Sequence, residues 1–332
     1  MNIWPIKGKD TEYLQLEITS YCNLECPGCE RSFHKEFLSD ILNKKYMSLE
    51  NIKKWFTINT LPNLKLISFS GQIDEPIIHP QILDIVKYFL NEFNVNLNLS
   101  TNGSTRNEKL FRELGILCDR HRNDKGNKKL DIEFAIDGLA DTNHIYRVGS
   151  NFNKIIKHVK AYINNGGKAS WKFIMFKHNQ HQLHEAKKLS DELGFSRFTY
   201  IHSKRKHSEH MNIIKIDNNK KNENVDNKKI NCKALNHNGR KGWLFVNHDG
   251  AAQPCCYFGY KLRSKDPLDN LNNISIDDYF ETSPFLNDIQ QSWYTDNPHP
   301  TCSKKCSGSG YRDDVTILRI NDKDTFYEVK NR

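Results

Sequence analysis

Residues 16–33 read LEITSYCNLECPGCERSF, and the three cysteines in this stretch decide how the rest of the chain is read. Cys22, Cys26 and Cys29 have C-x-x-x-C-x-x-C spacing and follow directly on an apolar run that reads as a strand. A structural zinc ion takes four ligands in a closed tetrahedron, commonly from two C-x-x-C pairs. This loop offers three thiols and no nearby fourth. Three thiolates hold three irons of a [4Fe–4S] cubane and leave the fourth iron open to a small molecule.

Around the loop, strand-like runs fall at 13–19, 64–70, 95–100, 130–136, 169–176 and 195–201. Between them, 80–93, 152–164 and 180–193 have helical periodicity. In the last of these, Leu183, Ala186, Leu189 and Leu193 share one face and Gly194 supplies the stop. Strand and helix alternating about six times predicts a parallel sheet, open or closed into a barrel. The 332 residues leave room for a smaller second unit.

Composition narrows the function classes. Nine cysteines in a chain with no export signal point to metal binding rather than disulfides. The absence of any apolar run of eighteen residues predicts no membrane-spanning helix, and the address expected is cytoplasmic. The net charge of +9 is spread along the chain with no basic stripe interleaved with aromatics, which argues against a nucleic-acid partner. Residues 204–230 are rich in Lys and Asn and read as a polar linker. His202, His207 and His210 read as part of that solvated stretch rather than as metal ligands.

The cysteine loop resembles that of the radical SAM superfamily, whose motif is C-x-x-x-C-x-aromatic-C. Gly28 stands at the usual aromatic position. The resemblance implies a [4Fe–4S] cluster on Cys22, Cys26 and Cys29 that binds S-adenosylmethionine (SAM) and cleaves it to a 5′-deoxyadenosyl radical. Three further motifs match in order. FSGQIDEPIIHP resembles the glycine-rich G-G-E-P element that holds the methionine amino group, with Gly71, Asp74, Glu75 and Pro76 in its place. LSTNGS sets Ser100, Thr101 and Asn102 at a strand's C-terminal end, where the family meets the ribose and carboxylate. FAIDGLADTNHIYR resembles the family's S-x-D-G…H…R stretch; Asp137 would then reach a ribose hydroxyl and Arg147 the methionine carboxylate.

A second cysteine set follows the linker. CKALNHNGRKGWLFVNHDGAAQPCCYFGY and PTCSKKCSG resemble the auxiliary-cluster appendage called SPASM, or its shorter one-cluster form, twitch. That resemblance implies one auxiliary [4Fe–4S] cluster on Cys232, Cys255, Cys302 and Cys306. Cys256 is the spare or replaces Cys255, because neighbours on an extended chain point to opposite sides. A zinc ribbon on the same thiols is the alternative. Isolated Cys118 reads as a small buried residue.

The expected architecture is therefore α/β: a partial (β/α)6 barrel of TIM type over 1–203, the linker over 204–230, a SPASM/twitch domain over 231–310 and a tail over 311–332 whose VTILRI returns to the barrel. The expected activity is oxidation of a substrate radical through the auxiliary cluster, with a reducing partner such as flavodoxin or ferredoxin. The first strand begins near Tyr13, leaving no leader-binding domain, so a small molecule or sugar is favoured over a peptide presented by a partner. The ending EVKNR, without a glycine pair, sets the chain apart from the molybdenum-cofactor cyclase branch. Cys118 and Cys256 are not placed as the methyl carriers of RNA methylases. A non-enzymatic zinc or iron–sulfur protein is the remaining alternative. No side chain stands out as a catalytic base; His144, Lys172 and His178 are the candidates.

Overall fold

The computed structural model describes residues 4–33, 35, 36, 38–40, 42, 45–202, 230–260 and 262–307, and the strand backbones of 317–320 and 326–329. His207, His210 and nearly all of the 204–230 linker lie outside the described residues.

Six parallel strands form the centre: β1 (Tyr13–Leu16), β2 (Leu66–Phe69), β3 (Asn96–Thr101), β4 (Leu130–Ala135), β5 (Lys168–Met175) and β6 (Arg197–His202). They pair in chain order. Parallel pairing requires a crossover between successive strands. The longer ones are α3 (Ile82–Glu92), α4 (Glu108–Arg120), α6 (Phe152–Ile163) and α7 (Leu183–Glu192). Asn107 and Asn151 cap α4 and α6 by accepting from Leu110 N and Lys154 N. Gly194 takes φ +82° beyond α7, as its position as a stop requires. The fold is the partial TIM-type barrel of the radical SAM type expected above.

Strand period two sorts the residues between two faces. Leu97, Leu99, Ile132, Phe134, Trp171 and Phe173 are fully buried in the main apolar core. The intervening residues are polar and bond across the strands. Ser170 Oγ donates to Asp131 Oδ1 at 3.1 Å, Ser100 Oγ to Glu133 Oε1 at 3.3 Å, and Lys172 Nζ reaches the same Oε1 at 3.2 Å.

The chain after the linker joins the same sheet. A short hairpin, β7 (Asn236–His237) with β8 (Arg240–Lys241), leads into β9 (Trp243–Val246). β9 pairs in parallel with β1, Tyr13 opposite Trp243 and Leu16 opposite Val246. β10 (Ala252–Gln253) adds an antiparallel strand outside β9. On the opposite edge β11 (Ile317–Ile320) lies antiparallel to β6, and β12 (Phe326–Val329) lies beyond it. The ILRI part of the VTILRI segment thus returns to the barrel. Helices α8 (Ile276–Thr282), α9 (Pro284–Ser292) and α10 (Pro300–Cys306) complete this half.

Leu244 is fully buried on β9. Leu244→Ala is expected to cost about 2–5 kcal/mol. Because β9 is laddered to β1, the loss should appear as a shift of one cooperative denaturant transition rather than as a separate early one. Fluorescence and circular dichroism transitions that fail to coincide would sink this.

Candidate active site

The C-terminal ends of the strands open into a cleft of about 600 Å³. Its walls carry Cys22, Cys26, Cys29, Gly71, Asp74, Glu75, Ser100, Thr101, Asn102 and Arg147, together with Lys172. Positions from Cys22 to Lys172 therefore share one surface. Parallel strands cause this, since each delivers its following loop to the same rim.

The cysteine loop is pinned by its neighbours on all sides. Arg31 donates to the carbonyls of Ser20 and Ile73, and Glu25 N donates to Val148 O at 3.1 Å. Asn102 Nδ2 donates to Asn23 Oδ1 at 3.0 Å and lies 4.0 Å from Cys22 Sγ. Leu24 N donates to Cys22 Sγ at 3.5 Å. Burial pushes the Cys22 thiol up to about 12, with the nearby Glu75 acting in the same direction. Gly28 faces Tyr146: a Cβ there would stand 3.0 Å from the Tyr146 hydroxyl. The aromatic ring missing from the cysteine motif is thus supplied beside Gly28 from α5 (Asn143–Tyr146).

The 71–75 loop is built on buried carboxyls. Glu17, at 0 % exposure, accepts from Gln72 N at 2.5 Å and Ile73 N at 2.7 Å. Glu75 accepts from Thr101 Oγ1 and from Asn102 N at 2.7 Å. Burial pushes both Glu17 and Glu75 up to about 7. It also raises Asp74 well above the usual carboxylate range, with Glu17 and Glu75 adding to the effect. A Cβ on Gly71 would lie 2.1 Å from Glu17 Oε1, so only glycine fits there.

Asp137 departs from the sequence expectation. It is fully buried, not among the residues lining the cleft, and its carboxylate is occupied by Arg147 Nε at 2.6 Å and Ile174 N at 2.5 Å. The carboxylate thereby orients the Arg147 guanidinium. Burial pushes its carboxyl up against the pull of Arg147, while Arg147 is held cationic by Asp137.

Of the candidate bases, His144 is exposed and outside the cleft, and His178 stacks on Phe176 with its pKa lowered by burial. Lys172 faces the cleft. His202 also differs from its reading: it closes β6 and lines the cleft, because the last residue of a barrel strand reaches the rim. Sequence reasoning missed Glu17, Gln72, Glu133, Tyr146 and Lys305 as well. Glu17 had a visible signal, a carboxylate within an otherwise apolar strand end.

The second thiol set also converges. Cys232, Cys255, Cys302 and Cys306 line one small void with Trp4, Phe258 and Trp293; Cys256 is not in that lining. Burial pushes Cys232 up to about 12 and Cys302 to about 11. The void measures about 10 Å³, roughly one water, so a bound group would take its place by parting these side chains. Among the described residues no three His, Cys, Asp or Glu side chains close on a single metal ion. Lys305 lines both the void and the cleft, so the two sites adjoin. Cys118 is buried, its Sγ 3.1 Å from Leu130 O.

No family model matches the chain. A cofactor-modifying protein for tungsten-containing aldehyde ferredoxin oxidoreductase, from Pyrococcus furiosus, is 33 % identical over 106 residues, 32 % of this chain and 28 % of that protein. A GTP 3′,8-cyclase from Clostridium perfringens is 25 % identical over 170 residues, 48 % of this chain and 46 % of the relative. The matches thus span less than half of either relative. Streptococcus suis SuiB bound to precursor peptide SuiA superposes with TM-score 0.56 at 15 % identity, over 85 % of this chain and 67 % of that one. AnSMEcpe with bound AdoMet and the Cp18Cys peptide superposes with TM-score 0.53 at 13 % identity, over 92 % of each chain.

The chain shares the partial-barrel fold of these solved structures. The thiol-only donor set of its first loop fits three ligands of a [4Fe–4S] cluster, with the cleft beside it for a bound molecule. No helix among the described residues is long and apolar enough to cross a membrane.

Two outcomes are expected. The Glu17 carboxyl keeps its proton in the folded chain from its ordinary value of 4.5 up to about 7, whereas the unfolded chain has lost it. Its contribution is thus fully present below pH 4.5 and lost as pH rises through 7. In the metal-free chain Glu17→Gln should therefore gain stability relative to wild type between pH 5 and 7.5, by up to about 3 kcal/mol. Denaturant midpoints at the two pH values measure it. Asp137→Ala strands the cationic Arg147 and should cost about 3–5 kcal/mol in the same assay.

Proposed function

We propose that this protein reductively cleaves SAM at the Cys22–Cys26–Cys29 loop and oxidises a substrate held in the same cleft. The observation that carries this reading is the single cleft joining those thiols to Gly71–Glu75, Ser100–Asn102 and Arg147, with a four-thiol site adjoining it at Lys305. When bound, the [4Fe–4S] cluster and SAM supply one-electron cleavage to a 5′-deoxyadenosyl radical that removes a substrate hydrogen atom.

The chain's residues bind and orient. Carbonyls of the loop around Gly71, backed by Asp74 and Glu75, hold the methionyl ammonium. Arg147, aimed by Asp137, pairs with the methionyl carboxylate through its guanidinium fork. Ser100, Thr101 and Asn102 face the ribose. Cys232, Cys255, Cys302 and Cys306 hold the auxiliary group that accepts the second electron.

Oxidation also releases a proton. Lys172 pairs with Glu133 at 3.2 Å. Glu133, which faces the cleft beside it, is the acceptor. The electrons that start and restart the reaction come from a reducing partner such as flavodoxin or ferredoxin. The substrate favoured is a small alcohol or amino sugar, and 600 Å³ lies within the usual range for a small-molecule site. A peptide side chain is the second reading, favoured by the peptides bound in the SuiB and anSMEcpe structures.

Anaerobic reconstitution should load about eight irons and eight sulfides per chain, two cubanes. Dithionite and SAM should then yield 5′-deoxyadenosine. Cys22→Ala should abolish that product and halve the iron, whereas Cys302→Ala should lower the iron and leave the product. Zinc in place of iron, with no deoxyadenosine, would overturn the reading.

A further inference from the structure

The segment that follows Cys255 is fastened to the 71–75 loop. Tyr260, itself buried, donates its hydroxyl to Glu17 Oε2, and the other oxygen of that carboxylate accepts from Gln72 N and Ile73 N. Gln72 in turn donates through Nε2 to the carbonyl of Cys256. Ile73 packs with Tyr260 and Leu38 in a small apolar cluster. The approach is close: a Cβ on Gly259, at φ +59°, would stand 3.0 Å from Gln72 Oε1. Gln253 Nε2 holds Gly259 O from the other side at 3.2 Å.

Glu17, which accepts from both segments, and the direct bond from Gln72 Nε2 to the Cys256 carbonyl therefore join two segments 184 residues apart in sequence. One segment begins at a thiol lining the four-cysteine void. The other continues through Asp74 to Glu75, which is held by Asn102 N and Thr101 Oγ1 on the far wall of the cleft. Both ends of this path are ligand sites on the reading above. Tethering Cys255 fixes the backbone that Gln72 and Tyr260 grip. The 71–75 loop then has less freedom to lose when a ligand orders it.

We propose that Tyr260 and Gln72 couple the two sites, so that filling the four-cysteine site tightens SAM binding at the 71–75 loop. This rests on the reading of those two sites given under the proposed function. Both are positioning residues: they act through Glu17 and the loop backbone. Coupling is reciprocal, so SAM also tightens the hold on the group in the four-cysteine site.

The test is SAM affinity by equilibrium dialysis of the reconstituted full chain. It is measured with the four-cysteine site intact and with it emptied by Cys302→Ala and Cys306→Ala together. Emptying the site should weaken SAM binding roughly tenfold, within the usual range of coupling between sites. In a Tyr260→Phe or Gln72→Ala background the same emptying should change the affinity less than about twofold. Tyr260→Phe keeps the ring against Ile73, and Gln72→Ala carries the same comparison should the phenylalanine variant fail to fold.

A positioning role should also alter the change that SAM makes in the electron paramagnetic resonance signal of the reduced three-cysteine cluster, which a loss of fold stability alone would not. Equal weakening on emptying the site in wild type and both variants, or none in any of them, overturns the coupling. SAM binding that survives Cys22→Ala unchanged overturns the site reading itself, and the coupling with it.

Discussion

Every loop that matters leaves its strand at the same edge of the sheet. This follows from parallel pairing alone: β1 to β6 run one way, so their C-terminal ends share a rim. The cysteine loop, the 71–75 loop, the 100–104 turn and α5 are built side by side for this reason. They then bond to one another, Asn102 to Asn23, Glu75 N to the carbonyl of Tyr21, and Arg31 to Ile73 O. The rim is a lattice of side chain to backbone bonds, the means by which irregular segments can be made rigid.

Buried carboxyls give that lattice its electrostatic character. Glu17, Asp74 and Glu75 lie together at very low exposure or in the enclosed part of the cleft, and backbone N–H donors satisfy much of their bonding capacity. Burial raises all three, and a cation placed among them would favour their ionised forms. The concave face of the strands is polar for a related reason. Glu133 and Lys172 neutralise one another across β4 and β5, which places a charged pair beneath the cleft at modest cost.

The fold was largely legible in the sequence because its signals are periodic. Six apolar runs, the helical stretches between them and Gly194 mark the barrel, and the structure keeps each. The three-cysteine loop and the motifs at strand ends were legible because type and spacing together are specific. For Asp137 a sequence shows a carboxylate but not that Arg147 and Ile174 N surround it. His202 reads as linker in the sequence because composition changes at the residue where the strand ends. Glu17, Gln72 and Tyr260 escaped notice because their meaning lies in contacts across 180 residues or more, for which no local pattern exists.

The pairing of β9 with β1 also has a consequence for how the chain is made. Tyr13 leaves the ribosome 230 residues ahead of its partner Trp243. At about 5–20 residues per second the outer edge of β1 waits roughly 10–50 s for its cover. During that time a row of unpaired backbone groups flanks the cysteine loop, open to pairing with another nascent chain. Conditions that slow translation, or crowd ribosomes on one message, lengthen this vulnerable interval. Overproduction of the protein should therefore be limited by the timing of synthesis as much as by the stability of the finished fold.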